Sequence, residues 1–409
     1  MPSTRFHVVN LGCRVNRVES DSFAASLVAH GGESVPVEDA DLVIVNTCTV
    51  TGEAEKKTRK AVRRVLRENA SGTVVVTGCA AAIDPDTYGN MDSRVVVVPK
   101  GSMAAYVSHA VSGESPVAVA EGGAVGSLFG DEFRMGEDFP TRVGIKVQDG
   151  CNNACTFCIV HVARGRAWSR PYKDVVAEAG EYARRGVREI VLTGINLGAY
   201  RTEDADLVRL LDGLLEAAPN TRFRLSSVEP HTLSDDFIGL MAASDGRICR
   251  HLHLPLQSGS TKVLKEMARP YTAQDFMGLV DRMYEAVPSL SLSTDVIVGF
   301  PGETERDFQD TCDVARACRF SKMHIFRYSM RAGTPAALRS DQISPEVKAE
   351  RAAKLDAIEH ELCAQDLARR KGTCELALVE TDGIATTESY HSVAAPVQSQ
   401  VGDLVPYIF

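Results

Sequence analysis

Several things are scarce or missing in this chain, and each absence narrows the field. Across its 409 residues no apolar stretch approaches the roughly 20 needed to cross a bilayer, so a membrane role is not expected. The first residues lack the basic-then-apolar pattern of a secretory signal. Positive charge is in deficit: 45 Lys and Arg against 54 Asp and Glu leave a net charge of −9. No global field therefore draws in a polyanion, and any RNA partner must be held by local basic patches. Lysine and arginine stop altogether after Lys371, while Glu375, Glu380, Asp382, Glu388 and Asp403 follow it.

Cysteine, by contrast, is plentiful. Eleven cysteines without a signal sequence argue for reduced thiols, metal binding and a cytoplasmic location rather than a disulfide framework. Three of them, Cys151, Cys155 and Cys158, fall within eight residues, and no fourth cysteine follows nearby. Thiolates select zinc, copper(I) or iron–sulfur clusters. A cluster with only three protein thiolates keeps one iron open for a ligand, since four cysteines are the usual complement. The competing reading is a tetrahedral zinc site completed by His161.

The order of apolar runs suggests an α/β protein in several parts. Phe6–Asn10, Leu42–Asn46 and Thr73–Thr77 read as strands, each followed by a helical segment, which predicts an open parallel sheet over residues 1–111. Just past these runs lie Cys13, Cys48 and Cys79. Ligands of open α/β sheets gather beyond the carboxyl ends of the strands, so the three thiols are expected to form a second three-thiolate site. The alternative is three separate core cysteines, which is how Cys249, Cys312, Cys318, Cys363 and Cys374 are read.

Residues 112–140 are rich in glycine and acidic residues and read as a linker. Over 141–371 six strand candidates alternate with helices: Val143–Val147, Glu189–Thr193, Arg222–Ser227, His251–Leu254, Thr294–Val298 and His324–Tyr328. That pattern predicts a partial (βα)6 barrel with its chemistry at the carboxyl ends of the strands. A long helix over Pro345–Lys371 closes this part, with Ser344 as N-cap and Gly372 as its stop. Residues 372–409 return to short β-rich runs and read as a small all-β appendage.

The motifs resemble one family in chain order. Leu-Gly-Cys13-Arg-Val-Asn16, Asn46-Thr-Cys48-Thr-Val-Thr51 and Thr77-Gly-Cys79 are similar to the N-terminal domain of the radical S-adenosylmethionine (SAM) methylthiotransferases. Gln148-Asp-Gly-Cys151 through Cys158, Ala163-Arg-Gly-Arg166, Ser169-Arg-Pro171 and Leu192-Thr-Gly-Ile-Asn196 resemble their radical SAM core. So do Ser226-Ser-Val-Glu-Pro230, Leu254-Pro-Leu-Gln-Ser-Gly259 and Asp295-Val-Ile-Val-Gly-Phe-Pro-Gly-Glu303. Nearly the whole chain is covered. Asn-Thr-Cys-Thr-Val-Thr and Leu-Thr-Gly-Ile-Asn-Leu-Gly most resemble the branch acting on N6-threonylcarbamoyladenosine in tRNA. Sister branches act on isopentenyladenosine in tRNA or on a ribosomal-protein aspartate.

The resemblance implies two 4Fe-4S clusters, SAM as cofactor, a tRNA substrate and an electron donor. The cluster on Cys151, Cys155 and Cys158 would reduce SAM to a 5′-deoxyadenosyl radical. The cluster on Cys13, Cys48 and Cys79 would carry the sulfur that a second SAM methylates. Gly194, Glu229, Gln257, Ser258 and Gly299, past successive strands, are candidate SAM contacts; ordinary turns are the dull alternative.

For RNA, Lys56, Lys60, Arg63 and Arg67 share one helix face, and Arg164, Arg166 and Arg170 follow the SAM-cluster cysteines. The arginines are equally compatible with phosphate, SAM or acidic neighbours. The C-terminal segment stands where the family has its small RNA-binding TRAM barrel. Without cations, it is expected to bind RNA weakly or to act as a packing cap. A reading from another class is a non-catalytic, zinc-bearing RNA-binding protein.

Overall fold

The computed structural model describes residues 4–49, 52–112, 141–381 and 383–409. The expected linker lies outside the described residues except for Ser112, as do Val50, Thr51 and Asp382. The described chain divides into two compact units. One holds the residues up to Ser112 together with 149–152 and 159–170; the other holds 141–148, 153–158 and the chain from Pro171 onward.

In the first unit five parallel strands lie in the order Glu33–Ser34, Arg5–Asn10, Leu42–Thr47, Thr73–Gly78, Val95–Val97. Leu42–Thr47 is buried on both faces, which its run of β-branched residues allows. Val43, Val45, Val74 and Val76 pack on one side with Val62 and Val65 of the helix Gly52–Glu68. Ile44 and Val75 pack on the other with Leu27 and Val107. Each such side chain, fully buried, contributes about 1.5–3 kcal/mol. The three strands that precede Cys13, Cys48 and Cys79 are the three central neighbours of this sheet.

The second unit is the partial barrel. Strands Arg142–Lys146, Glu189–Thr193 and Arg222–Leu225 form one parallel sheet; His251–His253, Ser291–Val298 and Lys322–Arg327 form another. Parallel bridges Phe223–Ile248 and Ser227–His253 join the two, so six strands follow each other in chain order. Side chains alternate across a strand. Ile190, Leu192, Phe223, Leu252, Leu292, Val296 and Val298 form the fully buried apolar set. The complementary face carries Glu189, Thr193, Arg222, Arg224, His251, Ser291 and Ser293, all buried and all polar. That polar set explains why the fifth strand starts at Ser291, three residues before the apolar run suggests.

The helix over Pro345–Arg370 is capped by the Ser344 hydroxyl, which accepts from the Val347 N–H at 3.4 Å. Beyond Gly372, strands Cys374–Thr381, Ile384–Thr387, Ser392–Ala394 and Leu404–Ile408 make an antiparallel sheet. This sheet packs under the amino-terminal ends of the barrel strands. The guanidinium of Arg222 donates to the carbonyls of Leu376 (2.7 Å) and Thr386 (3.0 Å), and that of Arg224 to Thr387 and Glu388 (both 2.9 Å). Both arginines also hold Glu189, with Nε–O distances of 2.6 and 2.7 Å. Arg142 pairs with Glu380 at 2.5 Å, and Arg250 with Glu388 at 3.4 Å. Glu375 accepts from Arg370 at 2.6 Å and from Ser389 at 2.7 Å. Three carboxylates of the acidic appendage, Glu375, Glu380 and Glu388, thus pair with arginines.

Candidate functional site

Two glycines fix the turns before the N-terminal thiols. Gly12 has φ +134, and a Cβ there would sit 2.8 Å from the Cβ and 3.1 Å from the Sγ of Cys48. Gly78 has φ +92, and its Cβ would lie 2.5 Å from both Asn46 Oδ1 and the Thr47 carbonyl. Only glycine tolerates such backbone and such closeness. Between them runs a buried amide network. Asn16 Nδ2 donates to the carbonyls of Leu11 (3.2 Å) and Thr47 (2.8 Å), and Asn46 Nδ2 donates to the Asn16 carbonyl (3.0 Å). The Cys13 thiol donates to Asn16 Oδ1 at 3.6 Å, and Thr58 Oγ1 donates to the Cys48 carbonyl at 3.1 Å. The loops bearing Cys13, Cys48 and Cys79 are therefore tied into one site. Sequence reasoning passed over Asn16 and Asn46 as site residues, although both stand in the quoted motifs.

Arg164 completes this site instead of facing solvent. Its side chain is 1% exposed. Nε donates to Cys79 Sγ at 3.2 Å, Nη2 to Asn16 Oδ1 at 2.6 Å, and Nη1 to Asp149 Oδ1 at 2.9 Å and Glu19 Oε1 at 3.3 Å. Lys100 pairs with the same two carboxylates, Glu19 at 2.7 Å and Asp149. Burial pushes the Cys79 thiol up from its ordinary value, against the pull of Arg164 and Lys100. Metal binding must therefore displace a proton there.

In the loop of the second trio, Cys155 and Cys158 are placed by the barrel unit. The Thr156 N–H donates to the Met267 carbonyl at 3.1 Å and its hydroxyl to that of Glu266 at 2.9 Å, while Phe157 packs with Val263, Met267, Phe300 and Tyr328. Cys151 belongs to the first unit, where its N–H donates to the Gly165 carbonyl at 3.2 Å. Arg269, unmarked in the sequence, donates from Nη1 to Cys155 Sγ at 3.2 Å and from Nε to the Tyr271 hydroxyl at 3.0 Å. Its Nη2 donates to Glu229. Burial pushes the Cys155 thiol up, with Arg269 opposing. Each thiol trio thus has one sulfur in contact with a buried guanidinium.

Each trio supplies three thiol donors, the complement of an iron–sulfur cluster that keeps one iron open. His161, the fourth ligand of the zinc reading, is exposed on the short helix Val160–Arg164.

The candidate SAM contacts sit where the barrel model puts them, but in unequal settings. Gly194 lies against Gln148, whose Oε1 would be 3.0 Å from an added Cβ and accepts from the Asn196 N–H at 2.9 Å. Glu229 is held by Arg269. Gln257 has φ +67, and its backbone bonds both ways with the strand Ser291–Val298. Ser258 is fully buried, its hydroxyl 3.3 Å from that of Thr311. Gly299 donates to Glu303 at 2.7 Å. A further cluster escaped the sequence reading: His253, Asp295 and His324, on three adjacent strands, bring ligand atoms within 4.8 Å. His253 Nε2 is 3.3 Å from Asp295 Oδ1, and its Nδ1 is 3.0 Å from Ser293 Oγ.

The basic candidates divide by exposure. Lys56, Lys60, Arg63 and Arg67 all point outward from the helix Gly52–Glu68, while Thr58 and Val65 are buried beneath. Arg166 is exposed; Arg170 is buried, as is the side chain of Arg164.

The comparisons with known proteins agree with this geometry. The radical SAM superfamily model matches residues 145–315, and the model described as uncharacterized protein family UPF0004 matches residues 5–98. The threonylcarbamoyladenosine tRNA methylthiotransferase MtaB of Bacillus subtilis (strain 168) is 36% identical, over 95% of this chain and 87% of that protein. A tRNA-2-methylthio-N(6)-dimethylallyladenosine synthase of Corynebacterium glutamicum (strain R) is also 36% identical, over 92% and 74% respectively. Among solved structures, the radical SAM methyltransferase TsrM from Kitasatospora setae, with cobalamin and a 4Fe-4S cluster bound, has a TM-score of 0.59 at 18% identity. It covers 82% of this chain and 77% of its own, and shows the shared fold. No helix among the described residues is long and apolar enough to cross a membrane. Together these place the chain among iron–sulfur enzymes that use SAM: it belongs to the radical SAM methylthiotransferase family.

Proposed function

We propose that this enzyme adds a methylthio group to C2 of N6-threonylcarbamoyladenosine next to the anticodon of tRNA. The observation that carries the reading is the presence of two separate three-thiol sets, each touched by a buried arginine, in a chain alignable almost end to end with a relative named for that reaction. Cys151, Cys155 and Cys158 would hold the 4Fe-4S cluster that reductively cleaves SAM, drawing on an external electron donor. Cys13, Cys48 and Cys79 would hold the second. The protein's own part is placement: Asn16, Asn46 and Thr58 hold the N-terminal loops, and Arg269 holds Cys155 and Glu229 together. A tRNA substrate agrees with a cytoplasmic location and reduced thiols.

Mass spectrometry of tRNA nucleosides from a deletion strain tests the substrate. The methylthio form of threonylcarbamoyladenosine should vanish and its unmodified parent accumulate. Loss of the methylthio isopentenyl nucleoside would instead assign the sister tRNA branch, and unchanged tRNA with an altered ribosomal-protein aspartate the other.

The exposed face of Lys56, Lys60, Arg63 and Arg67 is the surface proposed to meet phosphates, since none of the four forms an ion pair among the described residues. Their joint replacement by glutamine should weaken tRNA binding and flatten its salt dependence. Each lost phosphate contact lowers the slope of log K against log salt by about 1. An unchanged slope in a filter-binding titration would remove this face from the interface.

A further inference from the structure

We infer that Arg164 is a positioning residue for the N-terminal metal site, setting the reduction potential of its cluster through a hydrogen bond to Cys79. The inference rests on the reading of Cys13, Cys48 and Cys79 as cluster ligands. The side chain is 1% exposed, and each of its three nitrogens has a named acceptor. Asp149 and Glu19 hold Nη1, and Asn16 holds Nη2; the fork cannot swing without breaking both contacts. The remaining edge, Nε, is thereby aimed at Cys79 Sγ at 3.2 Å.

Charged groups of both signs meet around it. Lys100 and Arg164 supply two positive charges, and Glu19 and Asp149 two negative ones. A Cys79 thiolate then adds one unit of negative charge at the open edge of the guanidinium. The N–H···S bond offsets that charge, and offsets it more when a one-electron reduction adds a further negative charge to the cluster. Hydrogen bonds to ligand sulfurs and burial are among the levers that set such potentials. Asn16 extends the effect, because its Oδ1 accepts from both Arg164 and the Cys13 thiol. The sequence motif Ala163-Arg-Gly-Arg166 therefore contains one inward and one outward arginine with different tasks.

The test uses the full chain with Cys151, Cys155 and Cys158 replaced by alanine, reconstituted with iron and sulfide, so that one cluster remains. Its midpoint potential is read by EPR-monitored titration, with iron content beside it. Arg164→Gln should shift the midpoint to more negative values. A tenfold change in the ratio of reduced to oxidised cluster corresponds to about 59 mV for one electron. Arg164→Lys, which keeps the charge without the fork, should recover part of the shift. Equal midpoints in all three proteins would overturn the inference. If Arg164→Gln loses its iron while its apo form melts as before, and Arg164→Lys keeps iron at a shifted midpoint, the assignment stands. If both variants lose fold and iron together, Arg164 is a structural residue and the inference falls. Absence of iron with Arg164 intact would overturn the ligand reading itself, which is a separate result.

Discussion

Replacing Cys79 by alanine is expected to abolish methylthio transfer while SAM cleavage continues, and replacing Cys155 is expected to abolish both. Each trio has its own arginine partner. Cys79 is tied to Arg164 and, through it, to Asn16 and Glu19. Cys155 is tied to Arg269, and Arg269 to Glu229 and Tyr271. Loss of one ligand therefore need not disturb the other set. Anaerobically reconstituted protein should hold about eight irons if two 4Fe-4S clusters form, and each single variant about four. Release of 5′-deoxyadenosine reports the first activity, and the methylthio nucleoside reports the second. Loss of 5′-deoxyadenosine in Cys79→Ala, with four irons retained, would show that the roles of the two trios are not separable as described.

The second large effect concerns stability. Glu189→Gln is expected to cost about 3–5 kcal/mol, because removing one partner of a buried ionic group leaves the others uncompensated. Glu189 is fully buried between Arg222 and Arg224, which in turn hold four carbonyls of the C-terminal sheet. At about 2–4 °C per kcal/mol, the melting temperature should fall by at least about 6 °C. Deleting Gly372–Phe409 should do more, giving an unfolded or aggregating barrel. Truncation is therefore the wrong test of RNA binding by this segment.

The pH dependence follows from the same group. Burial alone would push the Glu189 carboxyl up, but Arg224, Arg222 and Arg142 together hold it well below the ordinary value of 4.5. A lowered folded-state pKa gives stability that is complete above the unfolded value and is lost as pH falls toward the folded one. The gap between wild type and Glu189→Gln should thus be constant above about pH 5 and narrow below about pH 4.5. A gap that widens in acid would mean that Glu189 is not the stabilising charge.

Much of this was legible in the chain. The β-branched runs ending at Thr47 and Gly78 announce central parallel strands, and their order brings Cys13, Cys48 and Cys79 together. Thiol spacing alone suggests a ligand loop at Cys151 to Cys158. What could not be read was pairing over distance. Arg164 meets a sulfur 85 positions away, and Arg269 one 114 positions away, with nothing in either local pattern to say so. A buried arginine and a solvated one look alike in sequence, so Arg164 and Arg170 were grouped with Arg166. The polar inner face of the barrel was hidden for a related reason. His251 pairs with Ser293 and Ser291 with Ser321, and apolar alternation cannot reveal a face that is buried yet polar.

The sheet beneath Arg222 and Arg224 also has a consequence for cooperativity. Its contact with the barrel strands is charged and hydrogen-bonded rather than greasy. Four backbone carbonyls of the sheet and the Glu189 carboxylate share two guanidinium groups, so neither part opens without breaking bonds of the other. Sheet and barrel strands are expected to unfold in a single transition.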